Sequence, residues 1–329
     1  MTGRGLRWGI LATGGIADAF ASDLRTAGLD LRAVGSRSGE SAERFARKHG
    51  IERAHGSYEA LAADPGIDAI YIATPHPQHV ENAELALSNG KHVLIEKAFT
   101  INQQEAARVR DLANERGLVA LEAMWTRYLP HMRRIRSLIA DGALGEVRAL
   151  IADHTQDLPD DPAHRLNDLA LGGGALLDLG IYPISFAWDL FGAPETITAS
   201  ATIKATGADA QVQASFTYPG GRMASTFSSS IAQGANTAVV LGDDARIEID
   251  TVWYTPTTFR LVARDGRVLE DYASEVDGRG MQFEAFELER AVREGTSPSD
   301  ILSIDESVAI MGTLDEIRRQ IGARYPGES

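Results

Sequence analysis

Residues 90–100 read GKHVLIEKAFT, an apolar run that ends abruptly in two charges, Glu96 and Lys97. Val93, Leu94 and Ile95 cannot all face water, so the run is expected as a strand buried on both faces of a parallel sheet. Ligands of such sheets bind beyond the carboxyl ends of the strands, where Glu96 and Lys97 fall. A lysine there is either a solvated loop residue or a group that positions charge and moves protons; residue type alone does not decide. A second constellation is Gly172-Gly173-Gly174-Ala175-Leu176-Leu177-Asp178-Leu179-Gly180-Ile181-Tyr182-Pro183. Its three glycines leave bare backbone for close approach. If the segment after them is helical, Asp178 and Tyr182 are four apart and share a face, and Pro183 kinks or restarts the helix. An acid and a phenol so placed can transfer protons. A helix-start carboxylate beside a packed tyrosine is the equal alternative.

Before residue 90 the spacing suits a phosphate-bearing ligand. Residues 6–12 read as a strand, and 14–27 carry helical spacing through Ile16, Phe20 and Leu24. Between them, Ala12-Thr13-Gly14-Gly15-Ile16-Ala17 is a degenerate G-x-G-x-x-G/A. Gly14 and Ala17 match its second and third positions, and Ala12 replaces the first glycine. Gly14 admits a diphosphate to the backbone, and the helix start at Gly15 and Ile16 offers unpaired N–H groups. Residues 31–35 form the next strand and lead into Ser36-Arg37-Ser38. An NAD site places an acid near this strand end for the ribose 2′-hydroxyl. Here only Asp30 is nearby, ahead of the strand. A hydroxyl, a guanidinium and a hydroxyl suit a 2′-phosphate instead. NADP is the expected cofactor, through Ser36 and Arg37, with NAD as the alternative.

Strand 67–73 ends in Thr74-Pro75-His76-Pro77, a loop made rigid by two prolines. His76 and His79 are metal-ligand types, but no acid or third histidine joins them at ligand spacing, so structural roles and no metal are expected. Thr74, Pro75, His79, Glu96, Lys97 and Arg127 complete the candidate cofactor set. Trp125, His154 and Arg165 are candidates for substrate.

The whole chain must position these groups. Its 329 residues exceed one compact core and suit two domains, 1–123 and 124–329. Strand and helix alternate through residue 122, which is a doubly wound parallel domain. A helix over 131–141 and a strand over 146–153 open the second domain, and a long polar loop over 154–169 suggests binding. Alternating segments over 195–270, with turns at Pro219-Gly220-Gly221 and Gly242-Asp243-Asp244, make an antiparallel meander. An open sheet with one face unaccounted for suggests a homodimer. Helices over 283–293 and 303–321 close the chain. The formal charge of −14 argues against nucleic acid or an anionic membrane surface as partner. Zero cysteine removes disulfides, thiolate nucleophiles and cysteine-ligated metals. No stretch reads as long and apolar enough to span a bilayer, and a cytoplasmic location is expected.

With these residues in hand, the chain resembles the glucose–fructose oxidoreductase, inositol dehydrogenase and MocA (Gfo/Idh/MocA) family of nicotinamide oxidoreductases. The resemblance rests on WGILATGGIA, ATPHPQHVENAELALSNGKHVLIEK, EAMWTRYLP and LGGGALLDLGIYPI, and covers nearly the whole chain. EAMWTR and GIYP point within it to the branch of dimeric dihydrodiol dehydrogenases and NADP-dependent D-xylose dehydrogenases. The resemblance implies a Rossmann domain followed by an α/β domain with an open, mainly antiparallel sheet. It implies that Glu96 and Lys97 lie beside the nicotinamide, and that Asp178 and Tyr182 face the same site, Tyr182 as acid/base where many relatives carry histidine. Substrates would be a sugar, polyol or dihydrodiol. A phenol titrates near 10, and an adjacent Lys97 ammonium would bring Tyr182 into a useful range. Ala98 stands where the family usually has proline, so a cis bond at 97–98 is not expected. The same family pattern includes NAD-using glycoside hydrolases and non-catalytic dinucleotide-binding regulators. Lys97 together with Asp178 and Tyr182 favours a catalyst.

Overall fold

The computed structural model describes residues 5–295 and 299–328. The chain begins β1 (Arg7–Leu11), α1 (Gly15–Thr26), β2 (Asp30–Gly35), α2 (Gly39–His49), β3 (Arg53–His55), α3 (Tyr58–Ala62), β4 (Ala69–Ile72), α4 (His79–Ser88), β5 (His92–Glu96), α5 (Gln103–Arg116) and β6 (Ala120–Ala123). It continues with α6 (Pro130–Ala140), β7 (Val147–Thr155) and α7 (Ile181–Phe191). Seven strands follow: β8 (Thr196–Ile203), β9 (Asp209–Tyr218), β10 (Arg222–Ser229), β11 (Ala238–Gly242), β12 (Ala245–Ile249), β13 (Phe259–Ala263) and β14 (Val268–Tyr272). Helices α8 (Gln282–Glu294) and α9 (Ile304–Ile321) end it.

The chain packs as two units: residues up to Trp125 with Asp277–Val308, and Thr126–Val276 with the residues from Ala309 on. In the first, the strands run parallel in the order β3-β2-β1-β4-β5-β6. Chain direction across the sheet reverses between β1 and β4, which makes their carboxyl ends a ligand position. Ile70, Tyr71, Ile72, Val93, Leu94 and Ile95 are fully buried, as the unbroken apolar runs of β4 and β5 require. Each such aliphatic side chain is worth about 1.5–3 kcal/mol. Ser38, Ser57 and Asn102 cap α2, α3 and α5 through their side-chain oxygens.

The expected division at 123/124 is corrected at its far end, because 277–308 returns to the first unit. Asp23 on α1 accepts the N–H groups of Arg279 and Met281 just ahead of α8. Glu289 accepts the Trp8 indole N–H, and the Ser307 hydroxyl donates to Glu122. Such pairings join residues far apart in the chain and leave no local mark in the sequence.

In the second unit the sheet order is β14-β13-β12-β11-β7-β10-β9-β8. Every pair is antiparallel except β7 with β10. Helix α7 packs on β7 and β10. The alternate residues Ile151, Met223 and Phe227 are 55%, 52% and 38% exposed. One expectation fails on length and composition: the helical run Leu169–Phe191 is long and apolar enough to cross a membrane. Most of it is buried in the protein, which is how the core helix of a globular unit meets the same criterion.

Candidate functional site

In the first unit, α1 starts at Gly15 on an extended Gly14, and both glycines are exposed. A Cβ added at either would meet nothing within 4 Å, so bare backbone and helix N–H groups front open space. That fits a diphosphate. Ala12, in the place of the missing fingerprint glycine, takes φ 85°, a conformation that glycine adopts at no cost. Ile16 is half-buried behind this turn. At the end of β2, Ser36 is buried and its Oγ accepts the Ser38 N–H, while Arg37 is exposed.

The loop after β5 is held from below by the two histidines. His76 Nε2 lies 3.1 Å from Lys97 O. His79 Nδ1 lies 3.0 Å from Ala98 O, and its Nε2 is 2.8 Å from Thr74 O. His79 is fully buried, and burial pushes its imidazole below the usual range against the pull of those carbonyls. This corrects its place in the cofactor set: it pins the Lys97 loop and has no surface to offer a ligand. Glu96 is likewise buried, accepting the Tyr71 hydroxyl and the Lys97 N–H. Thr74 is buried with its hydroxyl accepting from Asn82, Pro75 is exposed, and Lys97 is half-buried. The 97–98 peptide is cis although residue 98 is alanine, contrary to expectation. Trp125 is buried, with the Arg279 guanidinium 5.6 Å over its ring.

In the second unit, Leu176–Gly180 forms one π turn that runs directly into α7. Pro183 lacks an N–H and crowds the preceding turn, and the wider π turn just before it accommodates that break. Asp178 lies on the π turn and Tyr182 on the first turn of α7, each 8% exposed. Arg165, from the long loop, reaches Asp178 at 3.4 Å and stays largely exposed. His154 is not in that loop but near the end of β7, 2% exposed. Its ring stacks on Tyr254 at 3.7 Å and meets Tyr182 edge-on at 4.8 Å. Gln156 lies 3.0 Å from His154 Nε2. Burial pushes the Tyr254 phenol up to about 12, so it stays a hydrogen-bonding hydroxyl. The sequence reading missed Tyr254 and Gln156. The only signal was the Trp253-Tyr254 pair in the turn after β12, which β7 and α6 fix through the Trp253 indole and carbonyl.

Arg127 leaves the cofactor set too. It is 2% exposed, pairs with the buried Asp189, and donates to Ser185 on α7. Arg136 bonds the same Asp189 at 2.7 Å. Two guanidiniums on one buried carboxylate make a structural clamp between α6 and α7. Among the described residues no three His, Asp or Glu side chains converge as metal ligands.

Residues 6–123 match the oxidoreductase family with an NAD-binding Rossmann fold, and residues 132–248 match the GFO/IDH/MocA C-terminal domain. The chain belongs to the Gfo/Idh/MocA family. Within that family it is 36% identical to trans-1,2-dihydrobenzene-1,2-diol dehydrogenase of Bos taurus, over 98% of each chain. It is 36% identical to the D-xylose 1-dehydrogenase (NADP(+)) of Hypocrea jecorina, over 98% of this chain and 93% of that one. Among solved structures it is similar to KijD10, a 3-ketoreductase from Actinomadura kijaniata in complex with NADP and TDP-benzene. The TM-score is 0.84 at 25% identity, covering 97% of this chain and 98% of that one. The chain is thus an oxidoreductase of that family.

Proposed function

We propose that the protein is an NADP-dependent dehydrogenase of a secondary alcohol or anomeric carbon in a sugar, polyol or dihydrodiol, with Tyr182 as acid/base assisted by Lys97. The observation that carries this reading is Tyr182 itself: a phenol set by α7 against His154 and Tyr254, on the helical run that also bears Asp178. The activities named for the relatives agree with it. Open space against Gly14 and Gly15 fits the cofactor diphosphate, and the exposed Arg37 beside Ser36 fits a 2′-phosphate.

When bound, the nicotinamide supplies the hydride acceptor or donor. In the oxidative direction the substrate hydroxyl gives its proton to the Tyr182 phenolate as the carbon loses hydride. In reduction Tyr182 returns that proton to the carbonyl oxygen. The Lys97 ammonium favours the phenolate electrostatically. Asp178, its carboxylate steadied by Arg165, orients substrate hydroxyls, and His154, Tyr254 and Gln156 supply an aromatic and amide wall.

The test is a screen of aldoses, inositols, anhydrosugars and dihydrodiols for NADP reduction, read by absorbance of reduced nicotinamide. Tyr182→Phe and Lys97→Met should each lower turnover by about 100-fold or more while NADPH binding persists. Near wild-type turnover in Tyr182→Phe would sink the acid/base assignment. Net NADPH formation separates a dehydrogenase from a hydrolase that oxidises only transiently. Arg37→Ala should weaken NADP binding by roughly 10- to 100-fold with NAD binding unchanged, the worth of a charge-assisted hydrogen bond. Equal losses for both nucleotides would remove Arg37 from phosphate recognition.

The uncovered face of the second sheet is read as a homodimer interface. Met223, Ile151 and Phe227 share it with Val239 and Leu241, since register places Ile151 against both Ser225 and Val239. Threonines and serines of β8 and the Arg246–Glu248–Arg260 ion pairs flank that apolar band.

A further inference from the structure

We propose that Asp209 is a positioning residue for the reaction: from the start of β9 its carboxylate holds the backbone at the head of the π turn, and so sets where Asp178 and Tyr182 stand. The inference rests on the reading of Tyr182 as acid/base. Asp209 is 1% exposed, and its Oδ2 accepts the Leu176 N–H at 2.6 Å. The neighbouring Ala175 N–H also favours the charged carboxylate. These are amides that the start of a helical run leaves without internal acceptors, and a carboxylate there also opposes the helix dipole. Gly174 takes φ 134°, and a Cβ at that position would collide with Asp209 Oδ1. Only glycine lets the carboxylate close on the backbone, which gives one of the three glycines a specific task. The preceding carbonyl, Gly173 O, accepts the buried Tyr325 hydroxyl at 3.1 Å. Arg318 of α9 lies 4.9 Å over the Tyr325 ring and pairs with Asp315 and Glu328. The segment that leads into Asp178 is therefore gripped by β9 on one side and by the C-terminal tail on the other.

Asp209 does this at a cost. Burial pushes its carboxyl up to about 6, against the pull of the Leu176 and Ala175 N–H groups and of Arg318. The charged or protonatable groups that face it are Arg318 from α9 and Tyr325 from the tail. A folded pKa above the unfolded one means that stability from this group is fully present at acid pH and is lost as pH rises through about 6. At neutral pH the ionised Asp209 thus lowers stability while capping the turn. That is the signature of a group kept for placement.

The experiment compares wild type, Asp209→Asn and Tyr182→Phe by steady-state kinetics with the substrate the screen identifies. It adds NADP titration, thermal melts at pH 8 and deuterium exchange over residues 172–185. Asparagine keeps the shape but offers one acceptor oxygen where the carboxylate offers two. Asp209→Asn should lose roughly tenfold or more in kcat, since small misplacements of reacting groups cost that much. Its NADP dissociation constant should stay within about twofold of wild type, its exchange over 172–185 should quicken, and its melting temperature should not fall. Tyr182→Phe should lose turnover with wild-type exchange. An active Tyr182→Phe would remove the acid/base reading and leave the exchange result to judge Asp209. Unchanged exchange over 172–185 in Asp209→Asn, or unchanged kcat, overturns the proposal. If that variant does not fold, Gly174→Ala decides, because its added Cβ would collide with the same carboxylate: exchange over 172–185 should quicken and kcat should fall. Unchanged exchange in that variant overturns the proposal equally.

Discussion

Glu284 on α8 brings a whole carboxyl group into the first unit, 0% exposed, with neither oxygen hydrogen-bonded among the described residues. Burial first, then Glu96, Asp23 and Glu122, push it well above the usual carboxylate range. Its neighbours divide the available donors among themselves: Tyr71 and Lys97 give to Glu96, Phe99 and Ser307 to Glu122, and Arg279 and Met281 to Asp23. Burial and the three neighbouring carboxylates all favour the neutral form of Glu284. A raised folded pKa contributes stability that is lost as pH rises through it. Wild type should therefore lose stability relative to Glu284→Gln as pH rises from 5 to 8. Thermal melts at the two ends would show it, and an identical difference at both would mean that Glu284 is ionised throughout. Ala12 gives a second test at the same scale. Relief of its left-handed φ, less the added freedom of an unfolded glycine, should make Ala12→Gly about 1 kcal/mol more stable in urea denaturation. A destabilised variant would show that the Ala12 methyl contributes more by packing than its conformation costs.

Among the elements, the loop after β5 and the π turn before α7 were legible to different degrees. The β5 run and its terminal Glu96-Lys97 could be read because a buried parallel strand must be apolar throughout and must stop where it reaches solvent. The task of His76 and His79 could be read only in part. Absent a third ligand, a structural role was expected, but the acceptors are the carbonyls of residues 97 and 98, some twenty residues on. The Asp178–Tyr182 spacing assumed an α-helix; a π turn opens that stretch, and the proline after it is the one local clue. Arg127 misled because an arginine after the last parallel strand looks available to a ligand, whereas Asp189 on α7 claims it. The element-level prediction concerns Gly174. Gly174→Ala should displace Asp209 and lower kcat by roughly tenfold or more, with NADP affinity held within about twofold. Full turnover in that variant would show that the glycine is needed for something other than the Asp209 cap.

At the scale of the molecule, the apolar band on the second sheet sets the expectation. Met223→Glu combined with Ile151→Glu should convert a dimer to a monomer in light scattering while NADP still binds, because charge buried without a partner is costly. A monomeric wild type would remove the dimer reading altogether. The sequence by itself determined both sheets, since a period of two, a buried apolar run and a turn signal are local properties of the backbone. It also marked the strand ends where such sheets bind ligands, and offered Lys97, Asp178 and Tyr182 as candidates there. Tertiary structure alone decided that 277–308 returns to the first unit and that β7 runs parallel to β10. It alone brought His154 and Tyr254 against Tyr182, and Asp209 under the π turn. The physical reason is the same in each case: hydrogen-bond acceptors and ring faces find partners by distance in space, and a partner dozens or hundreds of residues away leaves no periodicity at either end.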